Sequence, residues 1–174
     1  KIYFDYDEFE VYKKKDPKLS RTELVAEIFK DDAYKTIPHL IIGDWGETYD
    51  PGINTILQNL ILNKERLAHL ESMFIGDISQ EESEVSWITQ GEYAPLLEHY
   101  PALKSLTIKG SSSLSFQRLQ HANLTHLEII SGGLPSSVIN KISQAELPKL
   151  ESLRLYFGTE AYGFDGNIET IKPL

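Results

Sequence analysis

Five short segments of this chain carry one spacing of apolar residues, L-x-x-L-x-L with aliphatic or methionine variants. They are IPHLII from residue 37, LESMFI from 70, LKSLTI from 103, LTHLEI from 124 and LESLRL from 150. Aligned, the first places are Ile37, Leu70, Leu103, Leu124 and Leu150, the second Leu40, Met73, Leu106, Leu127 and Leu153, and the third Ile42, Ile75, Ile108, Ile129 and Leu155. The first places follow one another at intervals of 33, 33, 21 and 26 residues. A recurrence at such a period constrains a fold more than any local propensity, because each copy must bury its apolar side against its neighbours. The second and third places alternate with other residues, as the inward face of a strand does. Strands are therefore expected near 37–44, 70–77, 103–110, 124–131 and 150–157.

Between these segments lie candidate helices with recognisable starts. Ser20 and Glu23 have the spacing of a capping box before LVAEIF, which predicts a helix over 20–30. Asp50 and Pro51 supply an N-cap and a first-turn proline for GINTILQNLILNKERL. Ser79 and Glu82 repeat the capping spacing, APLLEHY reads as a short helix at 94–100, and Pro135 opens SSVINKISQ. Strands alternating with helices imply parallel strands joined by right-handed crossovers. A doubly wound sheet, covered on both faces, needs nearly continuous apolar strands. Here the outward places are His39 and Ile41, Ser72 and Phe74, Ser105 and Thr107, His126 and Glu128, then Ser152 and Arg154. Most are polar. The expectation is an α/β fold: a solenoid with strands on a wet concave face and helices on the convex face.

The same residues resemble a known family. The L-x-x-L-x-L phrases look like leucine-rich repeats. More closely, GDISQEESEVSWITQGEYAPLLEHYPALKSLTIKG and SGGLPSSV resemble bacterial cytoplasmic leucine-rich-repeat proteins of uncharacterised function, some associated with the WGR domain. The resemblance covers roughly residues 37–174. It implies the repeat fold and a protein-binding role, and it supplies no catalytic residues. One departure concerns the Asn or Cys that usual repeats carry three places after the third apolar residue. Trp45, Ile78, Ser111, Gly132 and Gly158 stand there, so the solenoid is expected to be irregular.

Two units follow from this reading. Residues 1–36 form an N-terminal cap, with one or two strands in 1–12 (KIYFDYDEFEVY) beside the 20–30 helix. Residues 37–174 form the repeat domain. IETIKPL reads as the first turns of a helix, which leaves the strand at 150–157 uncovered. The array is thus expected either to continue in further repeats, as the resemblance favours, or to pair with a second copy at this edge.

Composition narrows the function. At 174 residues, with 41% hydrophobic and 25% charged residues, the chain is long enough for a sizeable core. It has no cysteine, so disulfides and thiolate metal sites are excluded and a reducing cytoplasm is the easier home. No apolar run approaches the roughly 18 residues of a membrane span. KIYFDYDEFE carries too many charges for the apolar core of a secretion signal. A net charge of −9 argues against a nucleic-acid surface, which must neutralise phosphates. The lysines at 13–15 read as a solvated turn.

Candidate chemistry is sparse. Asp44 and Asp77 occupy equivalent places after the first two strands, with Glu47, Asp50, Glu81, Glu82 and Glu84 in the same loops. These are weak candidates for a divalent cation or a cation-dependent enzyme, since no EF-hand spacing is present. Side-chain bonds from Asp44 and Asp77 to the turn backbone, replacing the missing asparagines, are the preferred reading. His39, His121 and His126 lack partners at zinc spacing. No nucleophile elbow, phosphate loop or H-E-x-x-H occurs. SGGLPSS and GSSSLS read as a turn and a flexible loop. No cofactor is called for. What remains is the concave strip of Ile41, Phe74, Lys109, His126, Glu128, Ile130, Arg154 and Tyr156, whose mixed aromatic, aliphatic and charged composition suits a protein partner. The chain therefore reads as an interaction module rather than an enzyme.

Overall fold

The computed structural model describes residues 1–2, 11, 14–15, 21–45, 48 and 53–174. Its strands are β1 His39–Ile42, β2 Ser72–Ile75, β3 Ser105–Lys109, β4 His126–Ile130 and β5 Ser152–Leu155. Each is built on the second and third places of one apolar triple. The hydrogen-bonded strands run for four or five residues, shorter than the eight suggested by the repeated phrase.

All four pairings are parallel, and the sheet order is β1-β2-β3-β4-β5. The register aligns Leu40, Met73, Leu106, Leu127 and Leu153 in one row and Ile42, Ile75, Ile108, Ile129 and Leu155 in another. A backbone motif repeats with the rows. The carbonyls of Pro38, Glu71, Lys104 and Thr125 each accept the two amides that open the next strand, such as Glu71 N and Ser72 N on Pro38 O. Right-handed crossovers that always step in one direction put every connection on the same face of a sheet. Burial agrees: the two aliphatic rows are buried across β1 to β4, while the alternate residues are half-buried or exposed.

The helices are α1 Arg21–Ile28, α2 Asn54–Leu62, α3 Lys64–Leu67, α4 Ala94–His99, α5 Ser136–Ser143 and α6 Ile168–Ile171. Ile56, Leu57 and Leu60 of α2, Leu96 and Leu97 of α4, and Val138, Ile139 and Ile142 of α5 join the aliphatic rows in one core cluster. Leu24 and Ile28 of α1 pack against it. The long helix expected after Pro51 is divided at Asn63, whose side-chain amide donates to Asn59 O at 2.9 Å. Both Ser20 and the Asp50–Pro51 start lie outside the described residues. Arg66 closes the C-terminal end of α1, donating from Nε to Phe29 O (2.9 Å) and from Nη2 to Lys30 O (2.7 Å).

Three expectations change. Ile2 does extend the sheet, as a parallel bridge to Ile42 with Ile2 N on Ile41 O and Gly43 N on Ile2 O, both at 2.7 Å. Residues 3–10 and 12 of the expected strand cap lie outside the described residues, however, and Val11 is helical. Lys14 and Lys15 are exposed but helical instead of sitting in a turn. The GSSSLS segment is not a loose loop. The connection from β3 to β4 holds no helix, and the chain there packs directly: Leu114, Phe116 and Leu119 are buried, and Ser112 and Ser115 form parallel bridges with Thr89 and Glu92.

The turns after β4 and β5 pack backbone on backbone. Gly133 and Gly158 form an antiparallel bridge, with Leu134 N donating to Phe157 O and Thr159 N to Gly132 O, both at 2.8 Å. Gly158 has φ +70°, and a Cβ there would stand 1.7 Å from the Gly132 carbonyl oxygen. Both the left-handed backbone and the contact require glycine. A Cβ at Gly132 would meet only ordinary neighbours, the nearest at 3.4 Å. Gly158→Ala is expected to destabilise the fold by roughly 3 kcal/mol, whereas Gly132→Ala stays within about 1 kcal/mol of the parent. Urea denaturation of the two variants checks the contrast, and equal losses would show that the turns do not pack this way.

Candidate functional site

The open face of the sheet carries two rows of side chains. One runs Ile41, Phe74, Thr107, Glu128, Arg154, and the other His39, Ser72, Ser105, His126, Ser152. With strands about 4.8 Å apart, the first row extends about 19 Å. Its β1–β2 end is apolar, with Ile41 beside Phe74. Its β4–β5 end is charged: Arg154 Nη1 lies 3.2 Å from Glu128 Oε1. These two groups, with His126, Ser105, Thr107 and Ser152, surround a depression of about 130 Å³. Lys109 and Ile130 are register partners at the far ends of β3 and β4. Tyr156 follows β5 and is 47% exposed.

Several of these groups are held by neighbours. His39 Nδ1 is 2.9 Å from Ser72 Oγ, and His126 Nδ1 is 2.7 Å from Thr125 Oγ1. Lys109 is half-buried, and its ammonium donates to Ile78 O across the β2 turn. It therefore braces that turn and offers little charge to a ligand. The two histidines stand on β1 and β4, too far apart to share an ion.

Of the two loop aspartates, Asp77 departs from the expectation. Asp77 forms an ion pair with Lys1 at 2.8 Å, so its carboxylate ties the N-terminal bridge to the β2 turn instead of replacing an asparagine. Half-buried Asp44 also has an interaction partner. Glu82 Oε2 accepts from Ser79 N at 2.7 Å, closing a turn where a helix start was signalled. Glu47 and Asp50 lie outside the described residues. Among the described residues, no group of three Asp, Glu or His side chains is placed to hold a metal.

Buried side chains bridge the turns beyond the strands. Gln90, fully buried, donates from Nε2 to Lys109 O at 2.7 Å and accepts from Tyr93 OH at 2.5 Å. Burial alone pushes the Tyr93 phenol far above its ordinary range. Ser111 Oγ lies 2.5 Å from Ser131 Oγ and donates to Gly133 O at 3.1 Å, and Ser131 Oγ accepts from Gly133 N at 2.9 Å. Only Ser111 occupies an aligned asparagine place.

On the helix side a wider cleft of about 400 Å³ is lined by Leu97, Glu98, Pro101, His121, Glu146 and neighbours. His121 is structural there: Nδ1 accepts from Asn123 N, and Nε2 therefore donates to Tyr100 O at 3.0 Å. Glu146 is paired with Arg118 at 2.7 Å. The cleft offers no unengaged histidine.

No family model and no curated protein matches the chain. Among solved structures it is similar to a crystallised protein from Bacteroides fragilis that was a structural-genomics target. The two are 40% identical with a TM-score of 0.86 over 98% of this chain. The chain spans 46% of that protein's length. Among the described residues, no helix is long and apolar enough to cross a membrane.

One charge at the C-terminal ends of the strands supports the loops directly. Asp165 Oδ1 accepts from Ser136 N, the first amide of α5, at 2.6 Å. That bond holds the carboxyl below the usual carboxylate range. Stability from a depressed carboxyl is present above its unfolded value of about 3.9 and is lost as pH falls through the folded value. Asp165→Ala is expected to lower the melting temperature at pH 7. The gap should start to narrow below about pH 4 and close once the pH is below the folded value, and a gap that persists in strong acid would rule out the ionised contact.

Proposed function

We propose that this chain is a segment of an irregular leucine-rich-repeat solenoid from a bacterial cytoplasmic protein, and that it works as a protein-interaction module. The observation that carries this reading is the open face. Its row of Ile41, Phe74, Thr107, Glu128 and Arg154 passes from apolar to charged with no helix over it among the described residues. The depression on that face, about 130 Å³, is smaller than the roughly 300 Å³ at which small-molecule pockets begin. An extended partner surface fits such a strip better than an enclosed ligand does. In-register parallel strands, the repeated carbonyl motif and the serine and glutamine bridges support the repeat reading. The likeness to a Bacteroides fragilis protein supports a bacterial source.

The partner is expected to contact Phe74 and Arg154. The Glu128–Arg154 pair is exposed enough to contribute only about 0–1 kcal/mol to folding. Phe74→Ala and Arg154→Glu should therefore weaken capture of the partner from a native extract while Arg154→Glu melts with the parent. If both variants capture as the parent does, the open face is not the interface.

A second reading concerns the outer edge of β5. Leu153 is 37% exposed, whereas its row mates Leu40, Met73, Leu106 and Leu127 are at most 2% exposed. We infer that a further strand covers this edge, either from more repeats of the same chain or from a second copy. Sedimentation velocity over a range of concentrations distinguishes them. A dimer abolished by Leu153→Lys indicates self-assembly, and a monomer at all concentrations rules out a second copy at this edge.

A further inference from the structure

Two exposed aromatic rings lie beyond the C-terminal ends of the strands. Trp87 is 65% exposed and Tyr162 52%. Each ends a short 3-10 turn, Val85–Trp87 in the connection after β2 and Glu160–Tyr162 after β5. The turns face one another across Gly132. A Cβ placed there would lie 3.4 Å from the Cβ of Ser86 and 3.5 Å from that of Tyr162. Gly132 thus sits between the two turns with room for little more than a methyl group, and Trp87 and Tyr162 end the turns on either side.

Each turn also carries a glutamate at its start. Glu84 caps the first turn, and its carboxylate accepts from Ser86 Oγ at 2.9 Å. Glu160 opens the second and is exposed. The charge here is mostly negative, and of the cations that reach this end Lys1 is paired with Asp77 and Lys109 is bonded to Ile78 O. Residues 77–92, 131–135 and 156–171 contain no lysine or arginine. The described segments at the opposite strand ends, by contrast, mix their lysines and arginines with Asp31, Asp32, Glu65, Glu71 and Glu151. A ring beside a carboxylate, repeated on two converging turns, is complementary to a cationic side chain, which gains from the π face and from the counter-charge together. The excess of negative charge also steers a basic partner to this end of the molecule.

We propose that the paired turns dock a lysine- or arginine-bearing segment of a partner protein, with its cations held between Glu84 and Glu160 and laid against Trp87 and Tyr162. This surface does not depend on the reading given for the open face. The chain has two tryptophans, and Trp45 is buried at 4% exposure, so an exposed-tryptophan signal reports Trp87.

The test titrates the 174-residue chain with a hexa-arginine peptide, a hexaglutamate peptide and a neutral oligosaccharide, cellohexaose, following tryptophan emission and calorimetric heat. Saturable binding of hexa-arginine alone is expected, weakened at least tenfold in Glu84→Gln/Glu160→Gln and, by calorimetry, in Trp87→Ala/Tyr162→Ala. Glu98→Gln/Glu151→Gln, which removes the same charge elsewhere, should bind as the parent does. Three outcomes would overturn the proposal. Equal weakening in both glutamine pairs would mean attraction to net charge only. Cellohexaose binding without hexa-arginine binding would make the rings a sugar platform. No saturable binding of the arginine peptide would leave the rings without this role.

Discussion

The structure depends on one packing constraint: two rows of aliphatic side chains shared across five parallel strands. Four of the five residues in each row are at most 2% exposed. Each such side chain contributes about 1.5–3 kcal/mol relative to exposure. The pleat has a period of two, so a one-residue slip of any strand would turn its aliphatic pair to water and its serine, glutamate or arginine inward. That penalty sets the register. With the register set, the repeated carbonyl motif, the unidirectional strand order and the single covered face follow from ordinary backbone geometry.

The rows do not explain how the turns beyond the strands are held at fixed spacing. In those turns a buried carbonyl without a partner costs about 1–3 kcal/mol. The chain meets the demand with side chains drawn from different places in each interval. Gln90 serves the β3 turn, Ser111 and Ser131 serve the turns after β3 and β4, and paired glycines serve the β4–β5 contact. Since no single aligned place supplies these groups, the intervals are free to differ, and the β3–β4 connection dispenses with a helix altogether.

Legibility in the sequence divides along the same line. Periodic features were readable: the triples, their alignment, the parallel order and the polar outward places, together with the short helix at α4 and the start of α5 at Pro135. Features that rest on one contact between distant residues were not. Nothing around Gln90 marks it as a buried bridge, and nothing local sends Arg66 to the end of α1 or Asp165 to the start of α5. Asp77 misled because its loop invites a turn-capping role, while its partner is Lys1, 76 positions earlier in the chain. The open face was read correctly as a set of outward places. Lys109 was less available than its spacing suggested, since a long flexible side chain can fold back onto a carbonyl.

The exposed edge at Leu153 has a consequence for motion. A strand hydrogen-bonded on one side, with its aliphatic residue half in water, has the fewest contacts to lose when it opens. Transient unzipping of the sheet should accordingly begin at β5 and travel toward β1. The amides near Tyr156 and Gly158 would trade their protons with solvent long before those of β2 and β3, and anything bound along that flank would act as a clasp that slows the exchange.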